Sequence, residues 1–151
     1  NPVTLHAAQA GAQVRELKYD HGPGFALDWL TGWTSLHARA AWSVEVVTPG
    51  EYAVELLCNV REEDAGARIR VSAAGSSAEA VTRPFPGERI VPPNRDRRED
   101  ASMYLRTWDR LFVGTLKLRA GSTTLAVEAL AIPGREAMTL NGVTLKYVRG
   151  P

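Results

Sequence analysis

Apolar and polar residues alternate along this chain in short runs, and one arrangement of them occurs twice. Trp42, Val44 and Val46 alternate with polar neighbours up to Thr48-Pro49-Gly50-Glu51, and Tyr52, Val54, Leu56 and Cys58 resume the alternation beyond. Further along, Leu111 to Leu118 leads into Arg119-Ala120-Gly121-Ser122, and Thr123 to Glu128 follows. Successive side chains on a strand point to opposite faces, so every run has one apolar face and each copy reads as a β-hairpin. A long hairpin with one apolar side packs that side against another sheet. The pattern therefore predicts an all-β fold, an antiparallel β-sandwich, with Trp42, Tyr52, Val54 and Leu125 in its core.

Gly, Pro, Asn and Asp divide the rest into short extended segments. Val3 to Ala7 and Val14 to Tyr19 read as the first strands, and residues 19–35 as a loop-rich stretch holding Phe25, Trp29 and Trp33. Ala67 to Ala73 and Ala78 to Arg83 pair through Gly75-Ser76-Ser77, and Ala137 to Val148 is the last strand. Residues 84–102, with Pro84, Pro86, Pro92 and Pro93, form an irregular charged insertion. About eight strands with long connections suit a jelly roll. A length of 151 residues fits a single domain over 1–151.

Charge and chemistry narrow the function by exclusion. Eighteen Lys and Arg against seventeen Asp and Glu leave a formal charge of +1, so no global field recruits nucleic acid or an anionic membrane. No apolar run approaches the roughly 20 residues that a membrane span needs. The single cysteine, Cys58, excludes an internal disulfide and a cysteine-based zinc cluster, and its inward phase marks a buried thiol. There is no Gly-rich phosphate loop, no Gly-x-Ser-x-Gly elbow and no His-Glu-x-x-His. His6, His21 and His37 stand apart with no carboxylate or cysteine at metal spacing, and Glu62-Glu63-Asp64 reads as a solvated turn. No catalytic constellation emerges, and the expectation is a non-enzyme without a cofactor.

The tryptophans carry the remaining signal. Trp42 is in phase with the core, but Trp29, Trp33 and Trp108 fall in or beside loops. An indole in a loop either plugs the open end of the sandwich or offers a flat apolar face to the C–H groups of a sugar ring. The insertion sets Arg83, Arg89, Arg95, Arg97 and Arg98 against Glu88, Asp96, Glu99 and Asp100, a solvated loop tied by local ion pairs. The same arginine forks could hold a carboxylate or sulfate bidentately.

The stretch Trp42 to Leu57, reading W-x-V-x-V-x-x-P-G-E-Y-x-V-x-L, resembles the central hairpin of galactose-binding-like sandwiches, especially carbohydrate-binding modules of families 6 and 35. Thr107-Trp108-Asp109, Val113 to Leu118, Ala120-Gly121 and Leu140-Asn141-Gly142-Val143-Thr144-Leu145 resemble the end of such modules. The arrangement is also similar to non-catalytic domains appended to bacterial sulfatases, fucosidases and other glycoside hydrolases. The resemblance implies that Trp108 is the principal stacking platform and that Phe25, Trp29 or Trp33 faces it. It matches Asn141 to a last-strand asparagine that hydrogen-bonds sugar hydroxyls; the residues alone equally allow a turn or bulge residue with Gly142. Tyr104 and Arg106, just ahead of Trp108, complete the candidate set. Where such modules often begin with a calcium-holding Glu-x-Glu, this chain has His6-Ala7-Ala8-Gln9 without a carboxylate, so calcium is not expected there.

The resulting expectation is a secreted or periplasmic, non-catalytic module. It would bind a polysaccharide or oligosaccharide and target an attached catalytic domain to it. The alternative is a structural accessory sandwich that packs on a neighbouring catalytic domain or on itself. In that case Trp29, Trp33 and Trp108 would be buried.

Overall fold

A computed structural model of the chain describes residues 2–10, 13–20, 28–90 and 105–151. The strands are β1 (Val3–His6), β2 (Lys18–Asp20), β3 (Trp29–Thr31), β4 (Arg39–Val46), β5 (Gly50–Asn59), β6 (Arg68–Ala73), β7 (Ser76–Val81), β8 (Arg89–Ile90), β9 (Leu105–Arg106), β10 (Asp109–Leu118), β11 (Gly121–Ala131) and β12 (Thr139–Arg149). One short helix, α1 (Ala7–Ala10), follows β1. A six-stranded antiparallel sheet runs β10-β5-β12-β3-β2, with β1 also on β12, and faces a four-stranded sheet β4-β11-β6-β7. The fold is the expected all-β sandwich. Its core holds Trp42, Val54, Leu56, Ile69, Val71, Leu116, Leu125, Val127 and Leu140, while Tyr52 is only half-buried.

The two repeated runs are not hairpins. β4 pairs with β11 and β5 with β10, so each tight turn carries the chain from one sheet across to the other. The copies clasp each other instead of folding back on themselves. Alternation is blind to this choice. Two strands joined by a turn present their apolar sides to one interior whether they lie in one sheet or face each other across two. The pair β6–β7 is a true hairpin, turning at Ala74-Gly75 with positive φ at both residues (51° and 79°).

Bulges keep long strands in phase with the core. β10 buries Leu111 and Val113, then Leu116 and Leu118, and the register shifts between Phe112 and Gly114. β12 buries Leu140, then Val143 and Leu145, with the shift between Leu140 and Gly142, so Asn141 is the extra residue of a bulge. Gly142 is fixed by space, because a Cβ there would come within 2.6 Å of the Leu5 carbonyl oxygen on β1.

The base of the insertion is ordered. β8 pairs with β9, and Phe85 bridges Val60. Arg83 leaves the mixed-sign loop to grip Asp109. Residues 91–102 of the insertion lie outside the described residues.

Candidate functional site

One register row crosses the end of the six-stranded sheet as Tyr19, Leu30, Leu140, Cys58 and Asp109. Leu30, Leu140 and Cys58 on that row are buried in the core. Trp29, one step from Leu30, therefore points to the opposite face. There it meets Trp108, their ring centroids 5.9 Å apart at 55°. The Arg106 guanidinium carbon lies 5.2 Å from the centroid of Trp29 and 5.3 Å from that of Trp108. Such contacts contribute about 0.5–2 kcal/mol each, depending on desolvation. The Trp29 indole N–H donates to Asp20 Oδ2 at 3.3 Å, the residue opposite it on β2.

The Trp108 loop is held on both sides. Thr107 uses all three of its polar groups: its N–H donates to the Glu88 carbonyl, its Oγ1 accepts from the Glu88 N–H, and its carbonyl accepts from Asn59 Nδ2 at 2.7 Å. On the other side the buried Asp109 carboxylate takes a bidentate fork from Arg83, at 2.8 and 2.9 Å. Those hydrogen bonds hold the Asp109 carboxyl below the usual carboxylate range against the opposing effect of burial. Burial chiefly, and the Asp109 charge next, push the neighbouring Cys58 thiol up to about 12, with Arg83 acting the other way. That thiol is no nucleophile.

The predicted site residues separate into groups. Trp108, Trp29 and Arg106 come together, Trp108 half-buried and Trp29 only 3% exposed. Trp29 is thus buried against Trp108. Trp33 is 0% exposed and belongs to the core, leaving no ring face for a ligand, and Ala137 N–H donates to its carbonyl. Asn141 is buried too, and its Nδ2 donates to the Asp28 carbonyl at 2.8 Å, tying the last strand to the segment that delivers Trp29. That is the bulge position, not a side chain turned to solvent. Phe25, Tyr104 and His21 lie outside the described residues.

Sequence reasoning missed the residues that hold the site. Asn59 ends the β5 alternation with a buried amide, and that break in the pattern was its only signal. Asp64 was expected in a solvated turn. Glu62 and Glu63 are exposed there, but Asp64 is 2% exposed and latches the turn to the loop after β11. Its carboxylate accepts from Arg61 Nε and from the Arg135 N–H, both at 2.9 Å. A Cβ on Gly134 would reach within 2.8 Å of Asp64 Cα, so the two loops meet backbone to backbone.

Asn59, Arg61, Arg106, Glu136 and Thr139 line a polar hollow of about 180 Å³ at this end. Larger hollows lie elsewhere: about 720 Å³ among the turns at the opposite end of β5 and β10, and a mostly apolar groove of about 420 Å³ between β1 and β4. Among the described residues, no three His, Cys, Asp or Glu side chains gather to hold a metal.

No protein-family model matches the chain, and no curated protein matches it in sequence. Solved structures match it over nearly its whole length. The C-terminal family 6 carbohydrate-binding module of a laminarinase from Zobellia galactanivorans superposes with a TM-score of 0.66 at 10% identity, covering 97% of this chain and 99% of that one. A carbohydrate-binding module of lichenase 5A from Cellvibrio mixtus, solved with cellotriose, gives 0.65 at 14% identity over 97% and 98%. A Podospora anserina mannanase that joins a family 26 hydrolase to a family 35 module gives 0.63 at 16% identity, covering 99% of this chain. This chain spans 28% of that mannanase. The sandwich is the fold seen in family 6 and family 35 carbohydrate-binding modules.

Proposed function

We propose that this chain is a non-catalytic carbohydrate-binding module whose ligand stacks on Trp108, with Trp29 beneath it and Arg106 across both rings. The observation that carries the reading is the fixation of Trp108: Thr107 before it and Asp109 after it are both tied down by hydrogen bonds. A ring held in place before the ligand arrives loses little further freedom on binding. Neutral sugar hydroxyls find donors and acceptors in the adjoining hollow at Arg106, Glu136 and Thr139. The reading invokes no metal and no catalytic group. It places the module in a secreted or periplasmic enzyme and assigns it the task of holding an attached catalytic domain on its polysaccharide.

Affinity electrophoresis through gels cast with laminarin, mixed-linkage β-glucan, mannan, xylan or pectin tests the proposal, comparing wild type with Trp108→Ala. Retardation in at least one gel is expected, with about tenfold weaker binding by the variant, since 1.4 kcal/mol of lost stacking is a factor of ten. No retardation of wild type in any gel sinks it.

A second reading, an accessory sandwich that packs on a neighbouring domain, draws on the apolar groove. Val3 and Val47 on its rim are 58% and 85% exposed.

A further inference from the structure

We propose that Asn141-Gly142 is a spontaneous modification site, closed by the fold, whose reaction unlatches the strand that carries Trp29. It is the only Asn-Gly pair in the sequence. In such a pair the glycine amide nitrogen, unhindered by any side chain, attacks the asparagine Cγ. The new C–N bond closes a five-membered succinimide, and ammonia leaves with the displaced amide nitrogen. Water then opens the ring at either carbonyl, giving aspartate or isoaspartate. The balance is one water consumed and one ammonia released, with no oxidant or reductant.

The fold requires both members of this labile pair. Gly142 has no room for a Cβ beside the Leu5 carbonyl, and Asn141 supplies the donor that the Asp28 carbonyl accepts. The fold also restrains the reaction. Gly142 is held between Leu57 of β5 and His6 of β1, and the Asn141 side chain is buried and bonded. The nitrogen and Cγ come together only when this end of β12 opens.

The product acts on the neighbouring segment. An aspartate side chain at 141 has no N–H to give, so a carboxylate faces the half-buried Asp28 carbonyl and the hydrogen bond between the two segments is lost. An isoaspartate adds a backbone carbon to β12 between its two neighbours and breaks the ladder register there. Either product loosens Asp28 and β3, and with them the indole under Trp108. This chemistry is the same whichever ligand the site takes.

The test uses wild-type protein in warm, mildly alkaline buffer, folded in one arm and unfolded in guanidinium chloride in the other. Peptide mapping reads conversion at Asn59, Asn94 and Asn141. Asn141 is expected to convert fastest in the unfolded arm and at least about tenfold more slowly in the folded arm, because reaction waits on local opening. Equal rates in the two arms, or slower conversion at Asn141 than at Asn59 in the unfolded arm, overturn the proposal. The converted fraction, separated by ion exchange, should melt lower than unreacted protein and show altered tryptophan emission. An unchanged melt and spectrum overturn the unlatching. Neither readout needs a sugar, so failure to bind glycans leaves this test intact.

Discussion

Asp64 gives the most direct test of how the loops at the site are held. In Asp64→Ala the Arg135 N–H loses its acceptor in a half-buried position, which costs about 1–3 kcal/mol. The variant also loses Arg61, but that side chain is 49% exposed and solvent screens the ion pair, so it adds little. The Glu136 N–H, at 3.5 Å, is too distant to add much. The lost backbone acceptor therefore sets a cost of about 1–3 kcal/mol, or a melting temperature lower by roughly 3–12 °C at this chain length. Arg61→Ala removes only screened surface ion pairs, to Asp64 and Glu63, and should cost clearly less than Asp64→Ala. Thermal melts followed by circular dichroism, with urea titrations for ΔG, separate the two. An Arg61→Ala loss as large as that of Asp64→Ala would refute a latch built mainly on backbone donors, as would an Asp64→Ala melt within about 2 °C of wild type.

The same residue sets a pH signature. Burial acts to raise the Asp64 carboxyl, but the Arg135 N–H, Arg61 and the Glu136 N–H together hold it below the ordinary value of 3.8. A carboxyl depressed in the folded state stabilises fully above its unfolded value and loses that contribution as pH falls through the folded one. Wild type should therefore lose melting temperature below about pH 4, and Asp64→Ala should lose less over the same window. Asp109, depressed by Arg83, has the same sign, so the variant keeps part of the acid slope.

Two further outcomes test the sheet pairing and the core. Ser43 on β4 is the register partner of Thr124 on β11, so Ser43→Cys with Thr124→Cys should cross-link under oxidation. Ser43→Cys with Glu55→Cys, on strands of different sheets, should stay reduced, and the reverse result in non-reducing electrophoresis would restore the hairpins. Cys58, with its thiol pushed up to about 12, should be inert to a thiol-reactive dye at neutral pH in the folded chain and react only after denaturation. Fast reaction in the absence of denaturant contradicts its burial.

Alternation made the sandwich and most of its core legible, because one apolar face per strand is a local property of sequence. Trp42, Val54 and Leu125 are buried as that pattern requires. Partnership between strands is not local. Nothing in Val46 or Gly121 announces that they are opposite each other 75 positions apart, and the short turns looked like hairpin turns. Bulges are equally hidden, since the phase change in β12 shows only as consecutive buried residues from Leu140 to Leu145. The site was half legible for a related reason. Loop indoles stand out, but sequence does not say which of Trp29, Trp33 and Trp108 the core claims. The roles of Asn59 and Asp64 were not legible because their partners, Thr107 and Arg135, lie 48 and 71 positions away.

The clasp between the two repeated copies is also what builds the site. Because β5 runs antiparallel to β10, the end of one strand meets the beginning of the other, and Cys58 lies opposite Asp109. The next residue out on β5 is Asn59, and the next ones out beyond β10 are Trp108 and Thr107. Asn59 is thereby placed to donate to the Thr107 carbonyl. β12 on the far side of β5 brings Leu140 to the same row, and β3 brings Leu30, with Trp29 beside it. Had each copy closed as a hairpin, β4 would occupy one of the two edges of β5 that β10 and β12 now share, and this row could not form as it does. The strand pairing that the alternation failed to reveal is the one that sets both indoles at a single end of the sandwich.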